Sequence, residues 1–148
     1  MARYLTRSFA VGTVSRGQEI SQLLGSFEEE GRRGLRWACV WPARRFEPIR
    51  VRLYEVEDLG PGTLPMDEFP AFHPAENFDP ETLRVAESRR DDAGGRTVAT
   101  CGSAEEAVSI AEREVGADPR RWVNGSVLLD EYNDYLEQSR PLGPWSPA

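Results

Sequence analysis

Two runs of strict alternation, separated by a link of seven residues, constrain this chain more than any other feature. Leu35, Trp37, Cys39 and Trp41 alternate with Arg36, Ala38 and Val40, and Ile49, Val51 and Leu53 alternate with Arg50, Arg52 and Tyr54. A period of two is the mark of a strand with two unlike faces. The link Pro-Ala-Arg-Arg-Phe-Glu-Pro is short enough to join the two runs as an antiparallel hairpin. On that pairing Arg36, Arg50 and Arg52 are expected to gather on one sheet face. With Trp37 or Trp41 they form a candidate pocket for a small anion.

The remaining pattern predicts what surrounds this hairpin. Residues 4–14 alternate, with Leu5, Phe9 and Val11 on one side, and predict a strand. Ser15-Arg-Gly-Gln18 has the form of a capping box, and Ile20, Leu23, Leu24 and Phe27 follow at helical spacing up to Gly31, so a helix is predicted over 16–30. Further strands are predicted over 83–87 and 97–101, joined through the Asp and Gly turn residues between them. Ser103-Ala-Glu-Glu106 caps a predicted helix over 104–115, closed by Gly116. In the last predicted helix, 127–138, Ser126 is the expected cap. Leu128, Leu129, Tyr132, Tyr135 and Leu136 wind one apolar stripe, while Asp130, Asp134 and Glu137 recur on another face.

A stripe that wide needs a sheet to bury it. Residues 1–140 are therefore expected to form one α+β domain, a mainly antiparallel sheet of about five strands covered on one face by three helices. Residues 141–148, with three prolines, form a tail that cannot continue a helix and that Trp145 is expected to hold down.

All 18 basic residues are arginine, so Schiff-base chemistry, phosphate-loop lysines and lysine general bases are excluded at once. There is one histidine, His73, and neither cysteine, Cys39 or Cys101, has the local spacing of a metal site. No cofactor or metal ligand set is expected. Both thiols fit strand-like runs and read as reduced core residues. One enzymatic arrangement pairs Cys101, just before a helix N-terminus, with His73 as its base, while the carboxylate pairs Glu55/Glu57 and Asp130/Asp134 share acidic runs and read as solvated charge. No apolar run approaches the length of a membrane span and the start lacks a secretory pattern, so a cytoplasmic protein is expected.

Charge divides unevenly. Up to Arg52 there are ten arginines and five acids (+5); beyond it there are eight and twenty (−12), which together give the net −7. That balance disfavours nucleic acid as a partner. The acidic half includes a long loop, 58–81, with Pro61, Pro65, Pro70, Pro74 and Pro80 among Phe69, Phe72, Phe78 and the acids Asp67 and Glu68. The expectation is a non-enzymatic interaction domain that masks a basic protein surface, in physical character like immunity or antitoxin proteins. Its predicted contacts are Asp130, Asp134 and Glu137 on the last helix and Asp67, Glu68, Phe69 and Phe72 in the loop. The alternatives are the anion pocket of Arg36, Arg50 and Arg52 and the small Cys/His enzyme.

Overall fold

A computed structural model describes residues 3–62, 64–73 and 94–147. Strands β1 (Ile20–Glu29), β2 (Arg32–Trp41), β3 (Ile49–Glu57) and β4 (Gly95–Cys101) form an antiparallel meander, and the short β5 (Val123–Asn124) and β6 (Gly143–Pro144) both pair with β1. Among the described residues three α-helices accompany the sheet: α1 (Arg7–Ser15), α2 (Ala104–Glu114) and α3 (Leu128–Glu137). The α+β class, with a single mainly antiparallel sheet and three helices, is the one the patterning indicates.

The central hairpin pairs as expected. Val40 lies opposite Val51, Trp41 opposite Arg50 and Trp37 opposite Tyr54, whose rings stack at 4.9 Å. The predicted strand over 97–101 is the end of β4, and the one over 83–87 lies outside the described residues. Ser103 caps α2 as its spacing predicts, accepting a hydrogen bond from the Glu106 amide.

The first thirty residues reverse the expectation: the predicted strand is helix α1 and the predicted helix is strand β1. In α1 the Thr6 hydroxyl accepts the Phe9 amide, and Ala10, Thr13 and Val14 are buried at i, i+3 and i+4, while Phe9 faces solvent. In β1 the helical spacing is produced by a bulge. Leu23 pairs with Trp37 and Gly25 with Arg36, so Leu24 is an extra residue that shifts the alternation by one. Gly25 is required at that point. Its φ is +135°, and a Cβ there would stand 2.3 Å from the Gly143 carbonyl oxygen. The tail docks against this bulge, with the Trp145 amide donating to the Leu24 carbonyl at 2.9 Å and the Trp145 ring buried.

Strand alternation sends two different cores to the two sheet faces, and the helices divide between them. Ile20, Ala38, Val40 and Val51 meet α1 and α2 through Ala10, Val14, Ala104, Ala107, Val108 and Ala111, with Trp122 beside them. Leu23, Leu35, Trp37, Cys39, Tyr54 and Val56 face the other way, towards Tyr132 and Tyr135 of α3, Trp145 of the tail, and Met66 and Phe69 of the loop that follows β3. The helices thus cover both faces, not one, because the two faces of β2 are both apolar.

Candidate functional site

The aromatic face is closed over only part of its length. Its sealed end is built on Asp58, the residue after β3, whose carboxylate is fully buried. Tyr132 Oη and Tyr135 Oη donate to its two oxygens at 3.0 and 3.1 Å, the Gly60 amide donates at 3.1 Å, and Arg140 and Arg33 lie 3.2 and 3.5 Å away. Burial and the Asp58 charge push the Tyr132 phenol well above its ordinary range. The network ties α3, the start of the loop and the C-terminal segment to one charge.

Towards the other end the same face opens into a cleft of about 1000 Å³. Its floor consists of Trp37, Trp41, Tyr54 and Cys39; its walls come from the β2–β3 hairpin (Arg44, Arg45, Phe46, Glu47), the turn at Met66–Glu68 and the entry to α3 (Ser126, Leu128, Leu129). Trp41, at the end of β2, is flanked by the facing strand: the guanidinium carbons of Arg50 and Arg52 lie 4.8 and 4.7 Å from its ring centre. Arg50 also pairs with Glu47 at 3.0 Å, and Arg52 donates to Thr97 at 2.8 Å. Glu19 lies at the cleft wall just before β1. Burial raises its carboxyl above the ordinary carboxylate range, against the hydrogen bonds of Trp41 and Cys39 and the charge of Arg44.

Two large apolar side chains on the rim remain in water, Phe46 at 89% exposure and Leu129 at 48%. Arg44 and Arg45 are also exposed and, among the described residues, make no ion pair or side-chain hydrogen bond; Arg45 lies 5.3 Å from the Phe46 ring centre.

The candidate residues from the sequence separate across this framework. Arg50 and Arg52 share the aromatic face with Trp37 and Trp41, as the anion-pocket reading requires. Arg36 does not join them. It points to the opposite face, bonded through Nη2 to Glu55 at 2.7 Å and lying over Phe27, because it alternates with Trp37 along β2. Phe69 and Phe72, expected as partner anchors, are 1% and 2% exposed and strap the loop onto the sheet. Phe72 packs edge-on against Phe27 under the Arg32 guanidinium. Asp67 and Glu68 stay in solvent, Asp67 on the cleft lining. On α3, Asp130 and Glu137 are exposed, whereas Asp134 is bound by Arg3, which also holds the buried Glu131. Ser126 does not cap α3; Val127 occupies that position without a side-chain bond.

The Cys/His arrangement is not assembled. Cys101 pairs with Ile49 at the start of β3, and His73 pairs with Glu29, whose strand neighbour Arg32 binds Glu57 at the end of β3. The length of a nine-residue strand, on the order of 30 Å, separates them. Burial and Glu106 raise the Cys101 thiol above its ordinary range. Cys39 is also raised, chiefly by burial. Among the described residues no group of three or more His, Cys, Asp or Glu side chains is placed to hold a metal ion, and no helix is long and apolar enough to cross a membrane.

The site is thus an open, aromatic-floored cleft with arginines on its rim. No family model matches the chain, and neither the curated proteins nor the solved structures compared with it yield a match.

The cleft residues that the sequence reading missed are Glu19, Arg44, Arg45, Phe46 and Leu129. A signal was present for three of them: Arg44-Arg45-Phe46 occupies a hairpin tip between two prolines, where side chains stand away from the sheet.

Proposed function

We propose that this protein is a non-enzymatic protein-interaction domain, acting in the cytoplasm, whose partner-binding surface is the aromatic cleft and the hairpin tip beside it. The observation that carries the reading is the 89% exposed Phe46 between two exposed arginines and a floor of Trp37, Trp41 and Tyr54. Aromatic and arginine side chains dominate binding energy at protein interfaces, and apolar groups clustered at a rim favour being covered. A lone inorganic anion would leave Phe46 and Leu129 in water, so a partner with its own apolar groups fits better.

Co-purification of the tagged wild type and Phe46→Ser from the native cell tests this. A stoichiometric partner held by the wild type and lost by a folded Phe46→Ser protein is expected. Retention of that partner by Phe46→Ser together with Arg44→Glu/Arg45→Glu would reject the cleft.

A second reading keeps the acidic helix as the contact for a basic partner. It is favoured by Asp130 and Glu137, which are exposed and unpaired among the described residues. Loss of the partner on Asp130→Asn/Glu137→Gln, with no effect of Phe46→Ser, would select it. With Phe69 and Phe72 buried, that surface lacks the aromatic anchors first expected of it.

A further inference from the structure

The charges around the cleft are not equally available. Glu47 is engaged by Arg50, and Glu19 is drawn inward against Trp41 and Cys39. Arg50 and Arg52 are committed to the Trp41 ring and to Glu47 and Thr97. Arg44, whose charge acts on Glu19, and Arg45 make no ion pair or side-chain hydrogen bond among the described residues, and they stand next to Phe46, the most exposed aromatic ring among those residues. Asp67, a lining carboxylate with no ion pair among the described residues, belongs to a different wall, the turn after β3.

Guanidinium forks bind carboxylates in a fixed planar geometry, and such charge-assisted bonds strengthen beside apolar surface that excludes water. A basic segment entering here would set its charges against Arg44 and Arg45. A cleft of about 1000 Å³ is at the upper end of small-ligand sites and holds several side chains of a chain segment.

Resting on the cleft reading above, we propose that the occupant is an acidic peptide segment of a partner protein carrying at least one bulky apolar side chain. The apolar side chain seats against Trp41, Phe46 and Leu129, and the carboxylates beside it bind Arg44 and Arg45. The chain is thereby complementary to an acidic partner at this site although its own net charge is −7.

The experiment is selection of random displayed peptides on the intact chain, with removal of those that also bind Arg44→Glu/Arg45→Glu. Both arginines are exposed, so the double variant is expected to fold; circular dichroism checks it. Enriched sequences should set Asp or Glu beside Phe, Leu or Trp. A synthetic peptide of that consensus, followed by fluorescence anisotropy, should lose affinity by about tenfold or more on Arg44→Glu/Arg45→Glu, and weaken as salt shortens electrostatic reach. It should also weaken on Phe46→Ser, which leaves the charges in place.

Enrichment of basic or uncharged peptides would overturn the proposal, as would consensus binding that ignores the double variant. Displacement of nothing but inorganic phosphate, or sedimentation showing a second copy of this chain as the sole occupant, would also overturn it. If acidic peptides fail while Phe46→Ser still releases the native partner, the class of segment is wrong and the cleft stands. If Phe46→Ser affects neither, both readings fall.

Discussion

The two faces of the sheet are built from different materials. The face under α1 and α2 is aliphatic and small: Ala10, Ala38, Ala104, Ala107 and Ala111 let the helices approach closely over Ile20, Val40 and Val51. The other face is aromatic and contains buried charge: Trp37, Tyr54, Tyr132, Tyr135 and Trp145 belong to its core, Tyr132 and Tyr135 bind the buried Asp58, and Glu131 and Arg121 are buried as well. Alanine and valine side chains need only shape to pack well, whereas a buried carboxylate needs every partner in place. The aliphatic face is packed by α1 and α2 over Ile20, Val40 and Val51, and the aromatic face is closed where tyrosines and arginines converge on Asp58. Beyond that point Trp37, Trp41 and Tyr54 form the floor of an open cleft. Stability is concentrated at one end of the aromatic face and recognition at the other.

The largest effect should come from the sealed end. Asp58→Ala leaves Arg33, Arg140 and two tyrosine hydroxyls facing a void, and removal of one member of a buried charged network typically costs about 3–5 kcal/mol. Urea denaturation should show a loss in that range. A loss below ~1 kcal/mol would mean that water reaches the network and that the two ends of the face do not differ as described.

On the aliphatic face the test is steric. Ala107 is fully buried between α2 and the sheet, and Ala107→Leu adds three carbons where the helix is already in contact. Overpacking of that kind costs about 1–3 kcal/mol. Equal stability of the variant would show that this face has slack.

How legible these differences were depended on whether two signals agreed. β2, β3 and α2 were readable because alternation, or helical spacing with a capping box, pointed one way and nothing interrupted it. β1 was misread because the bulge at Leu24 turns a two-residue period into Ile20, Leu23, Leu24 and Phe27, and α1 because its buried face is Ala10, Thr13 and Val14, too small and polar to register as a stripe. Arg36 was grouped with Arg50 and Arg52 for lack of the register, which sets it opposite Glu55 on the far face. Asp58 gave no sign of its role, since its partners Tyr132, Tyr135 and Arg140 lie more than seventy residues away along the chain. The cleft has the same cause: its walls come from Glu19, the β2–β3 hairpin, the turn after β3 and the entry to α3, which are far apart along the chain.

The open end is probed by pH through Glu19. Burial raises the folded-state carboxyl above its unfolded value, so its contribution to stability is fully present below about pH 4, the ordinary range for glutamate, and is lost as pH rises through the raised value. Glu19→Gln removes that titration. The variant should therefore gain on the wild type between pH 4 and pH 8, measured as urea midpoints, with the difference shrinking towards the acid end. A gain that grows on acidification would contradict the burial of this group.

The smallest change in stability should accompany the largest change in binding. Phe46 is 89% exposed at the hairpin tip, and its only ring contact among the described residues is the Arg45 guanidinium. Phe46→Ser removes almost no buried apolar area, so the folded state should move by less than about 0.5 kcal/mol, as exposed sites away from caps and networks do. The hairpin itself is held by the Arg44 and Glu47 backbone pair, which the substitution leaves intact. Partner affinity should nevertheless fall by about tenfold or more, the effect of removing an aromatic anchor at the centre of an interface. Unchanged urea midpoints combined with that loss would separate recognition from stability at a single side chain. A loss of stability above ~1 kcal/mol would show instead that Phe46 folds back over Trp41 in solution, and that the aromatic face is closed at both ends.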